Sequence, residues 1–324
     1  MKRLKVAYIL KPGDEVYWDE VIVSTIRKSH DVHTFDAKQP VLELLAGVDG
    51  VVQMGAENPE AEWVEAARGA KLWQLMSVGY DKFDIDKARQ AGIPLCHCPG
   101  VTTSPGMAES ALMLMLLIAK KHNQAQAELA AGQAHHPMGE ELAGRLLGLI
   151  GLGASGNATA RLAKAFGMRI AIAEPMQIDE EVLDALQPEF VVSPDKMDRV
   201  FEEADIVSLH LPLTPDTRGC IGAGLIGRMK PTACFINTAR GDLVDQEALY
   251  RALLEDRIGG IGTDVHAGVL PDSAHPVYRH PHFYAMPHVS GSTTGTVHRR
   301  ARTGLENLNR VAQGEPVQHR IDQG

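Results

Sequence analysis

The sequence predicts an α/β protein built on doubly wound parallel sheets, and three observations carry that expectation. Short apolar runs of strand length alternate with helical patterns along the whole chain. One segment, RLLGLIGLGASGNATARLAKAFGMRIAIAE from Arg145 to Glu174, places three glycines at the spacing G-x-G-x-x-G between a strand and a helix. Arg240, Asp264 and His288 each fall at or just past the end of a different predicted strand. Strand–helix alternation implies parallel strands with helices on both faces, and such sheets bind ligands outside the carboxyl ends of their strands.

Taken in order, the first hundred residues offer strands at Val6–Leu10, Val32–Phe35, Gly50–Met54, Leu72–Ser77 and Ile93–Cys96. Helical patterns lie between them at Val16–Arg27, Val41–Leu45, Glu60–Ala67 and Asp84–Gln90. No glycine fingerprint occurs here, so this half is not expected to hold a nucleotide. No Gly/Ser linker follows, and the domain boundary is placed near Pro99-Gly100, giving domains of residues 1–99 with 292–324 and 100–291. Ser104-Pro105 then opens a long helix, with serine as cap and proline at the first helical position, running toward His122. Met, Leu and Ala lie on nearly every side of it, and a helix of that kind must be covered all round. A homodimer that buries one of its faces is the expectation.

Leu146 to Ile150 is an apolar strand, followed by Gly151, Gly153 and Gly156, with Ala154 and Ser155 between the last two. Ala158, Leu162, Ala163 and Phe166 recur at helical spacing, and a second strand, Arg169 to Ala173, ends in Glu174. That acid stands near the ~20-residue offset of a dinucleotide-binding unit. The glycines permit a tight turn and close backbone approach to a pyrophosphate held at the helix N-terminus. Glu174 accepts from ribose hydroxyls and repels a 2′-phosphate, and Pro175-Met176-Gln177 supply no arginine to welcome one, so the cofactor is read as NAD.

Beyond this unit, a helix capped at Ser193-Pro194 runs to Ala204, and strands are expected at Asp205–His210, Ala233–Asn237, Ile258–Asp264 and Phe283–Met286. Asp245 caps a helix to Glu255, and a terminal helix begins at Ser292 or Thr293 and reaches about Gln313. With the strand at Leu146, this makes a sheet of about six or seven strands.

Composition narrows the function. A length of 324 residues, 44% hydrophobic and 23% charged, suits two soluble globular domains. The net charge of −9 argues against nucleic-acid or anionic-membrane partners, because no basic surplus exists to neutralise phosphates. The apolar runs at Val6–Leu10 and Ala111–Ala119 are too short for a signal sequence or a membrane span, so a cytoplasmic protein is expected. Cys96, Cys98, Cys220 and Cys234 are too few for a disulfide framework. Alternation along a strand turns His97 away from the thiols of Cys96 and Cys98, so no metal site is expected there.

Seven segments now carry a resemblance over nearly the whole chain: SVGYDKFDID at 77–86, VTTSPGMAES at 101–110, ELAGRLLGLIGLGASG at 141–156, HLPLTPDTRG at 210–219, INTARGDLVDQEAL at 236–249, GTDV at 262–265 and MPHVSGST at 286–293. The sequence resembles the NAD-dependent D-2-hydroxyacid dehydrogenases, the group that includes phosphoglycerate dehydrogenase and glyoxylate/hydroxypyruvate reductase. The resemblance implies a Rossmann NAD domain inserted into a flavodoxin-like substrate domain, and hydride transfer between NAD(H) and a small 2-oxo or D-2-hydroxy acid. It implies that Arg240 binds the substrate carboxylate, with the Val78 and Gly79 amides, and that His288 exchanges the proton. It places Pro212, Thr217, Thr238 and Ala239 along the cofactor and Asp264 against the nicotinamide carboxamide. The planar guanidinium of an arginine also suits a bidentate carboxylate better than lysine would.

One position departs from the family. Its third catalytic residue, a glutamate 19 positions before the histidine, falls at position 269 (288 − 19), which is Val269 in the segment DVHAGVLPD. Neither Val269 nor its neighbours Gly268 and Leu270 has a side chain that accepts a hydrogen bond. Asp272, or an acid from elsewhere, is left to substitute. A weakly catalytic or non-catalytic NAD(H)-binding sensor is therefore the competing reading, and a dehydrogenase of one-carbon or inorganic anions on the same scaffold is a third.

Overall fold

A computed structural model describes residues 2–10, 16–35, 41–268 and 274–323. The chain divides into two compact units, Met1–Thr102 with Ser292–Gly324, and Thr103–Gly291. Both are parallel-sheet α/β units.

In the first unit, β1 (Lys5–Ile9), β2 (Asp31–Phe35), β3 (Gly50–Gln53), β4 (Trp73–Leu75) and β5 (Leu95–Cys96) form a sheet ordered β2-β1-β3-β4-β5. Every pairing is parallel. Side chains alternate between two apolar layers, Val6 and Tyr8 entering one, Ala7 and Ile9 the other. That double burial is why β1 reads as a continuous apolar run. The terminal helix, Thr294–Gln313, lies beside the Val16–Arg27 helix on one face, with the Arg300 guanidinium 5.2 Å from the Trp18 ring. Thr293 caps it, its hydroxyl accepting from the Thr296 amide at 3.1 Å.

The second unit holds β6 (Leu146–Ile150), β7 (Arg169–Ala173), β8 (Phe190–Val192), β9 (Ile206–Leu209), β10 (Cys234–Asn237), β11 (Gly260–Thr263) and β12 (Phe283–Ala285), in the order β12-β11-β10-β9-β6-β7-β8. After β8 the chain crosses back to place β9 beside β6, so the order reverses there. A crevice at such a switch point is where doubly wound sheets take their ligands. Asp205 ties the two central strands at their starts, accepting from the Leu146 amide at 2.8 Å and from Lys230 Nζ at 2.7 Å.

Several boundaries shift from the sequence reading. The apolar helix covers Ser104–Ala119 and does not continue to His122; Lys121 takes a left-handed conformation (φ 51°), and a separate helix, His122–Ala130, begins after it. Ser104 is the first helical residue and Thr103 flanks it, in place of serine as the cap. The Ser193–Ala204 helix is instead a short turn, Pro194–Lys196, and a helix at Asp198–Glu203. β8 was not anticipated: Phe190 and Val192 are half-buried and Val191 exposed, so this edge strand has little apolar signal.

Candidate active site

The glycine loop after β6 is shaped by close approach. Gly151 has φ 94°, and a Cβ there would lie 2.9 Å from the His210 carbonyl oxygen. A Cβ on Gly156 would lie 2.4 Å from the Gly151 oxygen, so the helix can start this close only with glycine at both positions. Gly153 faces open space, with nothing within 4 Å of an added Cβ. The Ala154–Ala165 helix begins at this opening, and its first amides have no acceptor within the helix. Ser155 stands in its first turn. An open cradle, free amides and a helix N-terminus suit a pyrophosphate.

Glu174 follows β7 and reaches back into the same loop. Its Oε2 accepts from the Leu152 amide at 2.6 Å and its Oε1 from the Met176 amide at 3.1 Å. Each carboxylate oxygen retains a lone pair for a ribose hydroxyl. Across the switch point, Thr217 Oγ1 donates to the Pro212 carbonyl at 2.7 Å, closing the loop after β9 on itself.

Arg240, Asp264 and His288 follow β10, β11 and β12, three neighbouring strands of the sheet. Thr238 and Ala239, leading from β10, are buried. Arg240 is extended and half-buried; its carbonyl accepts from Asn237 Nδ2 at 2.9 Å, and its Nη1 donates to the Ala239 carbonyl at 2.8 Å. Gly241 then passes so close to the loop after β11 that a Cβ would lie 2.0 Å from the His266 carbonyl carbon.

Asp264 has a task the resemblance did not imply. It is 1% exposed, its carbonyl accepts from the His288 amide at 2.9 Å, and its two carboxylate oxygens accept from Val289 and Ser290, each at 2.8 Å. These bonds hold His288 in a left-handed conformation (φ 61°), which costs a residue bearing a Cβ about 1–2 kcal/mol. Asp264 therefore fixes the turn that presents the imidazole. Val269 and Asp272 lie outside the described residues.

In the first unit, Val78 and Gly79 follow β4. His97 Nδ1 lies 2.9 Å from the Val78 carbonyl, and Ser77 Oγ donates to the Gly79 carbonyl at 2.9 Å. Among the described residues no acceptor meets the amide of Val78 or of Gly79. The pinned Val78 carbonyl aims the Gly79 N–H the opposite way, and the Ser77 carbonyl, which accepts from the Cys98 amide at 2.9 Å, does the same for the Val78 N–H, so this turn presents fixed, open donors. Burial pushes the thiols of Cys96 and Cys98 up to about 12, leaving them protonated and inert.

Residues 112–290 match the family model described as D-isomer specific 2-hydroxyacid dehydrogenase, NAD binding domain. The chain belongs to the D-isomer specific 2-hydroxyacid dehydrogenase family. This family member is 34% identical over 295 residues to a glyoxylate reductase of Korarchaeum cryptofilum, covering 89% of this chain and 86% of that protein. It is 32% identical over 278 residues to a hydroxypyruvate reductase of Thermotoga maritima, covering 85% and 87%. Among solved structures, D-lactate dehydrogenase with NAD+ from Lactobacillus jensenii superposes with a TM-score of 0.82 at 26% identity, over 98% of this chain and 99% of that one. The cofactor of this dehydrogenase family member is NAD, and the class of chemistry is oxidoreduction. No helix among its described residues is long and apolar enough to cross a membrane.

Sequence reasoning had not singled out His210 and His97 as functional residues. Each directly follows a strand (β9, β5); His210 hydrogen-bonds Ser155 in the first turn of the helix after β6, and His97 hydrogen-bonds the turn after β4. A histidine just past a strand, followed by proline two residues on, was the available signal.

Proposed function

We propose that the protein reduces a small 2-oxo acid to its D-2-hydroxy acid with NADH, and runs the reverse reaction with NAD. The observation that carries this reading is the placement of Arg240 and His288 after β10 and β12, the strands flanking β11, whose Asp264 holds the His288 turn. When bound, reduced NAD supplies a hydride to the ketone carbon. Arg240 takes the substrate carboxylate in its planar fork. The open amides of Val78 and Gly79, in their own unit, are donors that suit an anionic group. His288 donates a proton to the developing alkoxide and, in oxidation, removes it. The unit of Thr103–Gly291 serves the cofactor, with Gly151, Gly153, Ala154, Ser155 and Gly156 under the pyrophosphate. Glu174 takes the ribose, and Pro212, Thr217, Thr238 and Ala239 line the nicotinamide half. Met1–Thr102 with Ser292–Gly324 serves the substrate. Glyoxylate and hydroxypyruvate, the compounds in the names of the relatives, are the first substrates to test.

Glu174 makes the cofactor preference measurable. NADH is expected to exceed NADPH in kcat/KM by about tenfold or more, ~1.4 kcal/mol. Equal efficiencies with the two cofactors would remove the role given to this carboxylate.

The proposed assembly is a homodimer. Leu112, Met113, Leu116 and Leu117 line an apolar groove on the Ser104–Ala119 helix, with Met113 41% exposed. Sedimentation is expected to show a dimer at micromolar concentration and a monomer for Met113→Arg. Because that side chain stands at the surface, the folded unit should tolerate the change. A stable native monomer would end the proposal.

A further inference from the structure

The imidazole of His210, just past β9, lies between two hydroxyls. Ser155 Oγ is 3.1 Å from Nδ1, and Ser208 Oγ is 3.0 Å from Nε2. The two serines differ in surroundings: Ser208 is 0% exposed on β9, whereas Ser155 is half-buried in the first turn of the helix after the glycine loop. Burial pushes His210 down to about 4. The ring is therefore neutral across the physiological range and carries one N–H, on one of its two nitrogens.

The two tautomers are not equivalent here. With the proton on Nε2, Ser208 must accept, and its own proton is left buried with no acceptor among the described residues. A buried donor left unmade costs about 1–3 kcal/mol. With the proton on Nδ1, Ser208 donates to Nε2 and Nδ1–H donates to Ser155 Oγ, so every buried group is satisfied. The hydroxyl proton of Ser155 is then turned away from the ring, and Ser155 stands in the first turn of the helix that begins at the open Gly153.

We infer that His210 is a positioning residue for cofactor binding: as the Nδ1–H tautomer locked by Ser208, it makes the Ser155 hydroxyl a donor to the dinucleotide pyrophosphate. In the other tautomer Ser155 would donate to the ring and present lone pairs to an anion. A hydroxyl that already accepts a hydrogen bond is also the stronger donor. The inference rests on the reading that the pyrophosphate lies over the glycine loop, and the tests separate the two.

The tautomer is read directly by 15N NMR of the histidine-labelled full-length protein, with and without ADP-ribose. The His210 resonances are identified by their loss in His210→Asn. A neutral Nδ1–H ring is expected in both states; an Nε2–H ring with ADP-ribose bound would overturn the inference. Affinity supplies the second test. Ser155→Ala and His210→Leu are each expected to weaken ADP-ribose about tenfold, with adenosine, which lacks the phosphates, bound as before. In the double variant the loss should be no larger than for Ser155→Ala alone, because His210 acts through that hydroxyl. Losses that multiply would mean that His210 only supports the fold, and would overturn its role while leaving the pyrophosphate site standing. Gly153→Val tests the site itself: loss of ADP-ribose binding is expected, and unchanged binding would overturn both readings.

Discussion

Arg240→Lys is expected to lower kcat/KM for a 2-oxo acid by about a hundredfold or more, although the charge is kept. The guanidinium is half-buried on extended backbone, and its Nη1 is already bonded to the Ala239 carbonyl, so the planar fork is pre-oriented. An ammonium on a flexible stem offers one point of attachment where two parallel N–H donors are needed. The affinity for NADH should change little, because the role proposed for Arg240 is with the substrate. Equilibrium titration of NADH beside steady-state kinetics checks both halves. A variant that lost the cofactor and kept its substrate constant would move Arg240 to the cofactor.

His288→Asn is expected to cost about 10²–10⁴-fold in kcat, the range for removing a general acid, with the affinity for NADH retained. Asparagine is the informative replacement because it tolerates the left-handed backbone found at φ 61°. The turn held by Asp264 should therefore survive, and the loss reports proton transfer. Circular dichroism and NADH titration establish that the fold and the cofactor site are intact. Retention of more than about a tenth of the native turnover would show that another group supplies the proton.

Much of this architecture was legible because parallel strands buried on both faces leave continuous apolar runs. Val6–Leu10 and Leu146–Ile150 stand out for that reason, and the helices Val16–Arg27 and Val41–Leu45 fall where their periodicity placed them. Edge elements were less visible. β8 has no fully buried residue, and the break at Lys121 lies in backbone geometry that no side-chain pattern announces. The glycine loop with Glu174 is local in sequence and was read as a unit. Asp264 and His210 were harder because their partners come from distant segments: residues 288–290 for Asp264, Ser155 and Ser208 for His210. Its position at a strand end singled out Asp264 as a candidate for the ligand edge, while only the fold shows that both its oxygens hold the His288 turn. Hydrogen-bonding roles of this kind depend on register between neighbouring strands, which one chain's periodicity does not encode.

The central claim is that this chain turns over a small 2-oxo acid with NADH. It is tested most directly by following NADH absorbance across a panel of 2-oxo acids that includes glyoxylate and hydroxypyruvate, with chiral analysis where the product has a stereocentre. Turnover of at least one member, lost in His288→Asn and yielding the D-hydroxy acid where a stereocentre forms, is the predicted result. NADH that binds but is consumed with none of them would contradict the account and leave a nucleotide-binding sensor in its place.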